Sequence, residues 1–247
     1  MCGRYSLFAP AVDIEARFDA AFDFDFEARY NAAPSQSLPV ITGEDPDTIQ
    51  RMEWGLVPSF ADARKDHGYI NARAETLAEK RSFADAYESR RCLVPADGMY
   101  EWVERAERSS ANGRAAKPRD DGGKQPYRVA LPDDALFAMA GLYERWKPPQ
   151  RQTGLGEFGG SGGGGQDEIV ESFTIVTTEP NDTVRDLHHR MAVILDPDEE
   201  STWLTGDTDT VADLLDPYGG PMRTYPISTA VNSPSNDSPA IIEEVDV

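Results

Sequence analysis

The 247-residue chain is long enough for one substantial core, and it carries a formal net charge of −20 with only two cysteines. No apolar run approaches the ~18 residues of a membrane span, no charged and apolar leader opens it, and two cysteines make no disulfide framework. The expectation is a cytoplasmic protein outside the membrane. Acidity of this size argues against binding nucleic acid through bulk charge, so local arginines matter more than the sum. Five lysines against 19 arginines, with acids scattered over most loops, further read as adaptation to concentrated salt, a halophile pattern.

Apolar spacing predicts a helix over Ala11–Phe18, then strands over Leu38–Thr42 and Ile49–Leu56. A short amphipathic helix follows at Ala78–Tyr87. Strand patterns resume at Arg91–Val103, Tyr127–Leu131, Ala135–Trp146, Ile169–Thr177 and Met191–Leu195. Helical turns are expected at Asn181–Leu187 and Thr210–Leu215. Cys92 lies in an apolar run and reads as a buried structural thiol. Residues 104–124 and 148–166 are polar, charged or glycine-rich, and they interrupt strand patterns that resume beyond them. They are expected to be loop insertions in one domain spanning 1–236, followed by an acidic tail, 237–247. The Gly162–Gly165 run lacks the Lys-Ser/Thr of a phosphate loop.

Cys2 stands directly behind Met1 and becomes a 1,2-aminothiol if that Met is removed. Its amine, near ~7.7–8.0, can form a Schiff base with an aldehyde, and its thiol, near ~8.5, can then close a thiazolidine ring. An internal cysteine cannot do this. Glu101 lies between Tyr100 and Trp102 in a strand pattern, so its side chain points opposite to both. Facing a dry pocket it is a proton-transfer group with a raised pKa; facing solvent it is an ordinary surface carboxylate. His188 precedes His189 and Arg190, and an imidazole there can move protons at a sugar oxygen. Adjacent histidines diverge in a regular strand or helix, so no metal site is expected and His189 is expected to be dispensable. Asn71 can donate and accept at once, or simply form a turn. Arg4, Arg73 and Arg190 are candidate phosphate partners. Trp54 serves either as a wall for base stacking or as core.

Taken in order, Met1-Cys2-Gly3-Arg4-Tyr5, Asn31-Ala32-Ala33-Pro34, Trp54-Gly55-Leu56-Val57-Pro58, Asn71-Ala72-Arg73-Ala74-Glu75-Thr76, Asp97-Gly98-Met99-Tyr100-Glu101-Trp102 and His188-His189-Arg190-Met191 resemble the SRAP family. Its members are also called SOS response-associated peptidases or abasic-site processing proteins. The resemblance implies a mixed α+β domain with a β-barrel-like core of mostly antiparallel strands and a few short helices. It implies capture of abasic sites in single-stranded DNA as a thiazolidine crosslink on Cys2 after removal of Met1, a peptidase- and lyase-like chemistry. Asn71 would orient Cys2, with Glu101 and His188 handling protons. Arg4, Arg73 and Arg190 would hold phosphates, with Trp54 and Pro34 beside the bases. No cofactor is implied; the expected state is a monomer that meets the replication machinery on DNA and is nucleoid-associated once crosslinked. One departure stands out: relatives often carry an acid and a proline where this chain has His189 and Ala192. Two rival readings are an N-terminal-nucleophile hydrolase of the glutamine amidotransferase type, whose amide-binding residues and partner domain are not evident, and a non-catalytic DNA reader.

Overall fold

A computed structural model describes residues 2–64, 67–104, 123–149 and 169–247. The stretches 104–124 and 148–166 lie outside these residues except at their ends. Fourteen strands are present among the described residues, in order β1 (Tyr5–Leu7), β2 (Ala21–Phe22), β3 (Arg29–Ala32), β4 (Ser37–Thr42), β5 (Thr48–Trp54), β6 (Asn71–Arg73), β7 (Arg91–Ala96), β8 (Gly98–Glu104), β9 (Lys124–Ala130), β10 (Phe137–Trp146), β11 (Val170–Thr178), β12 (Met191–Ala192), β13 (Ile194–Leu195) and β14 (Arg223–Pro226). Five short α-helices accompany them: α1 (Ala11–Phe18), α2 (Ala84–Ser89), α3 (Asp182–Arg185), α4 (Glu200–Thr205) and α5 (Thr208–Ala212).

Five strands close on themselves. β5 pairs with β4, β4 with β7, β7 with β10 and β10 with β11, all antiparallel, and β11 returns to β5 in parallel register at Ser172↔Glu53 and Phe173↔Trp54. Closure leaves the ring without a free edge and explains why β7 and most of β10 are buried on both faces. Gly141 on β10 is needed there: a Cβ would come within 2.8 Å of Cys92 Sγ and 2.9 Å of Val94 on β7. Outside the ring, Arg91 donates to the carbonyls of Tyr87 at the end of α2 and of Trp203 and Gly206 at the end of α4, where a cation suits the helix dipole.

A second sheet runs β14-β9-β8-β1-β3. The chain crosses from ring to sheet at Asp97, so the expected single strand Arg91–Val103 is two strands in different sheets. Asp97 is fully buried, and its carboxylate accepts from Ser6 Oγ at 2.6 Å and from the backbone N–H groups of Phe8 and Ala9. The buried Arg128 guanidinium packs against Gly98, where a Cβ would meet it at 2.7 Å. Asp97-Gly98 marks the turn in the sequence, but the apolar runs on either side, both buried, read as one strand. The expected strand Met191–Leu195 likewise divides into β12 and β13, which pair with β11 and β10.

Residues 237–247 are not a detached tail. Asp237 accepts from the backbone of Tyr30 and Asn31 and pairs with Arg29, while Ile241 is buried against Tyr100, Ile227 and Val231. Ile242 packs beside it, Glu244 forms a β-bridge with Ile227, and Val245 N–H donates to the Pro226 carbonyl at 3.0 Å, so side chains and backbone together dock this acidic segment on the second sheet.

Candidate functional site

The start of the chain is positioned by strand register. β1 lies antiparallel to β8 with Tyr5 opposite Met99, and Tyr100 N–H donates to the Arg4 carbonyl at 3.1 Å. Following that register backward brings residues 2 and 3 alongside Glu101 and Trp102. From the ring side, Asn71 at the start of β6 donates from Nδ2 to the Cys2 carbonyl at 2.9 Å. Its Oδ1 is buried with no hydrogen-bond partner among the described residues, an acceptor left over beside the chain's start.

Period-2 geometry sorts the neighbours of Glu101. Tyr100 points into the minor core and donates to the Tyr30 carbonyl at 2.5 Å, and Trp102 Nε1 donates to Asn232 at 2.7 Å. Glu101 points the other way, and its side chain is 3% exposed. Burial pushes its pKa up to about 7, opposed by the positive charge of the N-terminal amine and a hydrogen bond to it. The Cys2 thiol is fully buried and pushed up to about 12, first by burial and then by the Glu101 charge, with the same amine pulling it back. His188 is held below its ordinary value by burial and then by that amine. The same N-terminal charge thus acts on all three side chains.

His188 follows α3, whose first turn is capped by Asn181 Oδ1 accepting from Val184 N–H at 3.0 Å. Residues 188–190 belong to no regular element, and the rings of His188 and His189 lie 4.2 Å apart. The expectation that adjacent histidines diverge is overturned, because it presumed a strand or helix.

Other expected contacts are redistributed. Trp54 cannot offer a wall to a base: it is fully buried, packs against Tyr5 and Phe173, and donates from Nε1 to the Ile70 carbonyl at 2.8 Å, directly behind Asn71. Arg190 is not open to phosphate either. It is largely buried, forms a bidentate pair with Glu75 and donates to the Thr177 carbonyl. Arg4 is half-engaged within the fold, donating to Asn31 Oδ1 at 2.9 Å and the Val231 carbonyl at 2.8 Å. Arg73 is exposed, and Pro34 is half-buried at the turn after β3.

Residues missed in the sequence lie beside Asn71. Tyr69, Asn71, Arg73, Lys80, Arg81, Ser82, Phe83 and Thr177 line an open cavity of about 340 Å³. Arg81 sits 4.1 Å above the ring of Phe60, which is 43% exposed, and Tyr69 is 37% exposed. Exposed aromatics beside three cations are unusual on so acidic a molecule. Two signals were available: Tyr69 is two residues from Asn71, hence on its face, and Lys80-Arg81 closes the segment after the Asn71 motif.

Residues 1–234 match the family model described as SOS response associated peptidase (SRAP). The abasic site processing protein YoqW of Bacillus subtilis (strain 168) is 37% identical over 252 residues, covering 98% of this chain and 99% of that protein. The abasic site processing protein HMCES of Gallus gallus is 29% identical over 258 residues, covering 90% of this chain and 68% of that one. A solved structure of a protein from Bacteroides thetaiotaomicron superposes with a TM-score of 0.78 at 28% identity, covering 99% of this chain and all of the other. The fold is therefore shared with a solved structure over nearly the whole chain, and the chain belongs to the SRAP family.

Proposed function

We propose that this protein captures abasic sites in single-stranded DNA as a covalent adduct on Cys2. Met1 is first removed by hydrolysis of its peptide bond to Cys2, with Glu101 relaying the proton of the attacking water. The freed amine adds to the C1′ aldehyde of the ring-opened sugar and expels water as an imine. The Cys2 thiol then adds across the imine, its proton passing to nitrogen, and the thiazolidine closes. Asn71 holds the Cys2 carbonyl, and its spare Oδ1 accepts from the freed amine or a sugar hydroxyl. His188 gives and takes the proton at the sugar oxygen during ring opening and adduct reversal. Arg73, Lys80 and Arg81 hold flanking phosphates, and Phe60 with Tyr69 replaces Trp54 as the stacking surface. The protein works as a cytoplasmic monomer that meets lesions exposed at replication, in a salt-rich interior that its acidic surface suits.

The observation that carries this reading is the Asn71 hydrogen bond to the Cys2 carbonyl together with the buried Glu101, whose carboxyl is pushed up to about 7 and whose charge acts on the Cys2 thiol. Relatives across the whole chain that bear the name abasic site processing protein support the choice of lesion. Intact mass of the purified protein, with and without an abasic single-stranded oligonucleotide, tests it: Met1 should be absent and one oligonucleotide should add. Cys2→Ala and Cys2→Ser should give no heat-stable adduct without borohydride, because an imine or an oxazolidine hydrolyses. A full-yield adduct from either variant, or glutaminase activity in the wild type, refutes the reading.

A further inference from the structure

The chain leaves α3 without entering a strand until Met191, and this irregular path turns two adjacent side chains to the same side. The His188 and His189 ring centroids are 4.2 Å apart, with planes inclined by 31°. His188 is half-buried and His189 exposed. The peptide groups of Arg190 meet His188 Nδ1 with both polarities. Its N–H lies 3.0 Å away and donates when Nδ1 is bare, and its carbonyl lies 3.1 Å away and accepts when Nδ1 carries hydrogen. That backbone accommodates either ring tautomer, and its carbonyl favours a proton on His188, so any bias toward the neutral ring comes from elsewhere.

The adjacent ring supplies part of it. Two imidazolium rings in contact repel, so a charge on the exposed His189 ring opposes a proton on His188. The N-terminal amine and Lys124 at the start of β9 likewise oppose a proton on His188. The guanidinium of Arg190 is turned away to Glu75.

We propose that His189 is a positioning residue for the adduct chemistry: it stacks on His188 to fix its ring, and its charge opposes a proton there, so that His188 stays neutral and ready to accept one. This rests on the role of His188 given above. In that state Nδ1–H donates to the Arg190 carbonyl, and Nε2 takes the proton lost by the sugar hydroxyl as the ring opens or closes. An acid at this position would do the reverse and hold a proton on His188.

Proton NMR titration of the imidazoles reads this directly, since the chain has only His67, His188 and His189. His189→Phe keeps a stacked ring without charge, and His189→Asp supplies an anion. The His188 midpoint should rise by about half a unit in His189→Phe, from the repulsion of two unit charges across a few ångströms of water-like medium. It should rise further in His189→Asp. The acid limb of the pH profile for transfer of a preformed adduct to excess labelled abasic oligonucleotide should shift by the same amount. A His188 midpoint unmoved in both variants overturns the inference, as does a moved midpoint with an unmoved profile. If the unmodified protein forms no adduct, the abasic-site reading fails instead, and the titration alone decides whether the rings are coupled.

Discussion

Glu101 has its carboxyl pushed up to about 7 because β8 turns it away from water while Tyr100 and Trp102 take the opposite face. A group half-protonated near neutrality can both accept and return a proton, which the proposed Met1 hydrolysis requires. The amide of Glu101→Gln has similar shape and no such capacity, so Met1 removal should slow by at least about 10²-fold, read by intact mass over time. The same variant has a stability signature. The folded pKa lies above the value near ~4.3 of an unfolded glutamate, so the contribution of Glu101 is fully present below that value and is lost as pH rises through about 7. Wild type should therefore lose thermal midpoint across this window by more than Glu101→Gln does. Equal pH dependence of the two melting curves would show that Glu101 is not desolvated.

At the scale of elements, what the sequence conveyed depended on length and locality. α1 was legible to the residue, because its apolar positions repeat at helical spacing. β1, β3 and β6, three or four residues each, are too short to show a period, yet they carry the site. The expected helix Ala78–Tyr87 begins only at Ala84, where α2 forms. The parallel closure of β11 on β5 was not legible at all, since it joins residues far apart in the chain. Trp54 shows the consequence for function. Its motif marks it as important, but only the closed ring reveals that it supports Asn71 from behind. Trp54→Ala should cost about 3–5 kcal/mol of stability, as for other buried tryptophans. Phe60→Ala, at a half-exposed loop position, should leave stability within about 0.5 kcal/mol while weakening capture of abasic single strands by about 1–3 kcal/mol. Urea unfolding alongside gel-shift titration separates the two, and a Phe60→Ala protein that unfolds as readily as Trp54→Ala would place Phe60 in the core.

For the whole molecule, the conflict is between a net charge of −20 and a polyanionic partner. Self-repulsion of that size is screened as the Debye length falls from ~10 Å at 0.1 M salt to ~3 Å at 1 M, so the thermal midpoint should rise with potassium chloride. Non-covalent DNA capture should move the opposite way. Contacts from Arg73, Lys80 and Arg81 predict that affinity falls by roughly two log units per tenfold salt, at about 0.7 per phosphate on a single strand. A thiazolidine, once closed, does not dissociate when counterions return. Adduct formation at subsaturating DNA should therefore slow steeply with salt, while the final yield at long times stays near its low-salt value. Rates from quenched denaturing gels between 0.1 and 2 M potassium chloride would show both. A yield that falls in step with the rate would mean that the adduct is held by the same phosphate contacts that deliver it, and that covalent capture does not compensate for the acidic surface.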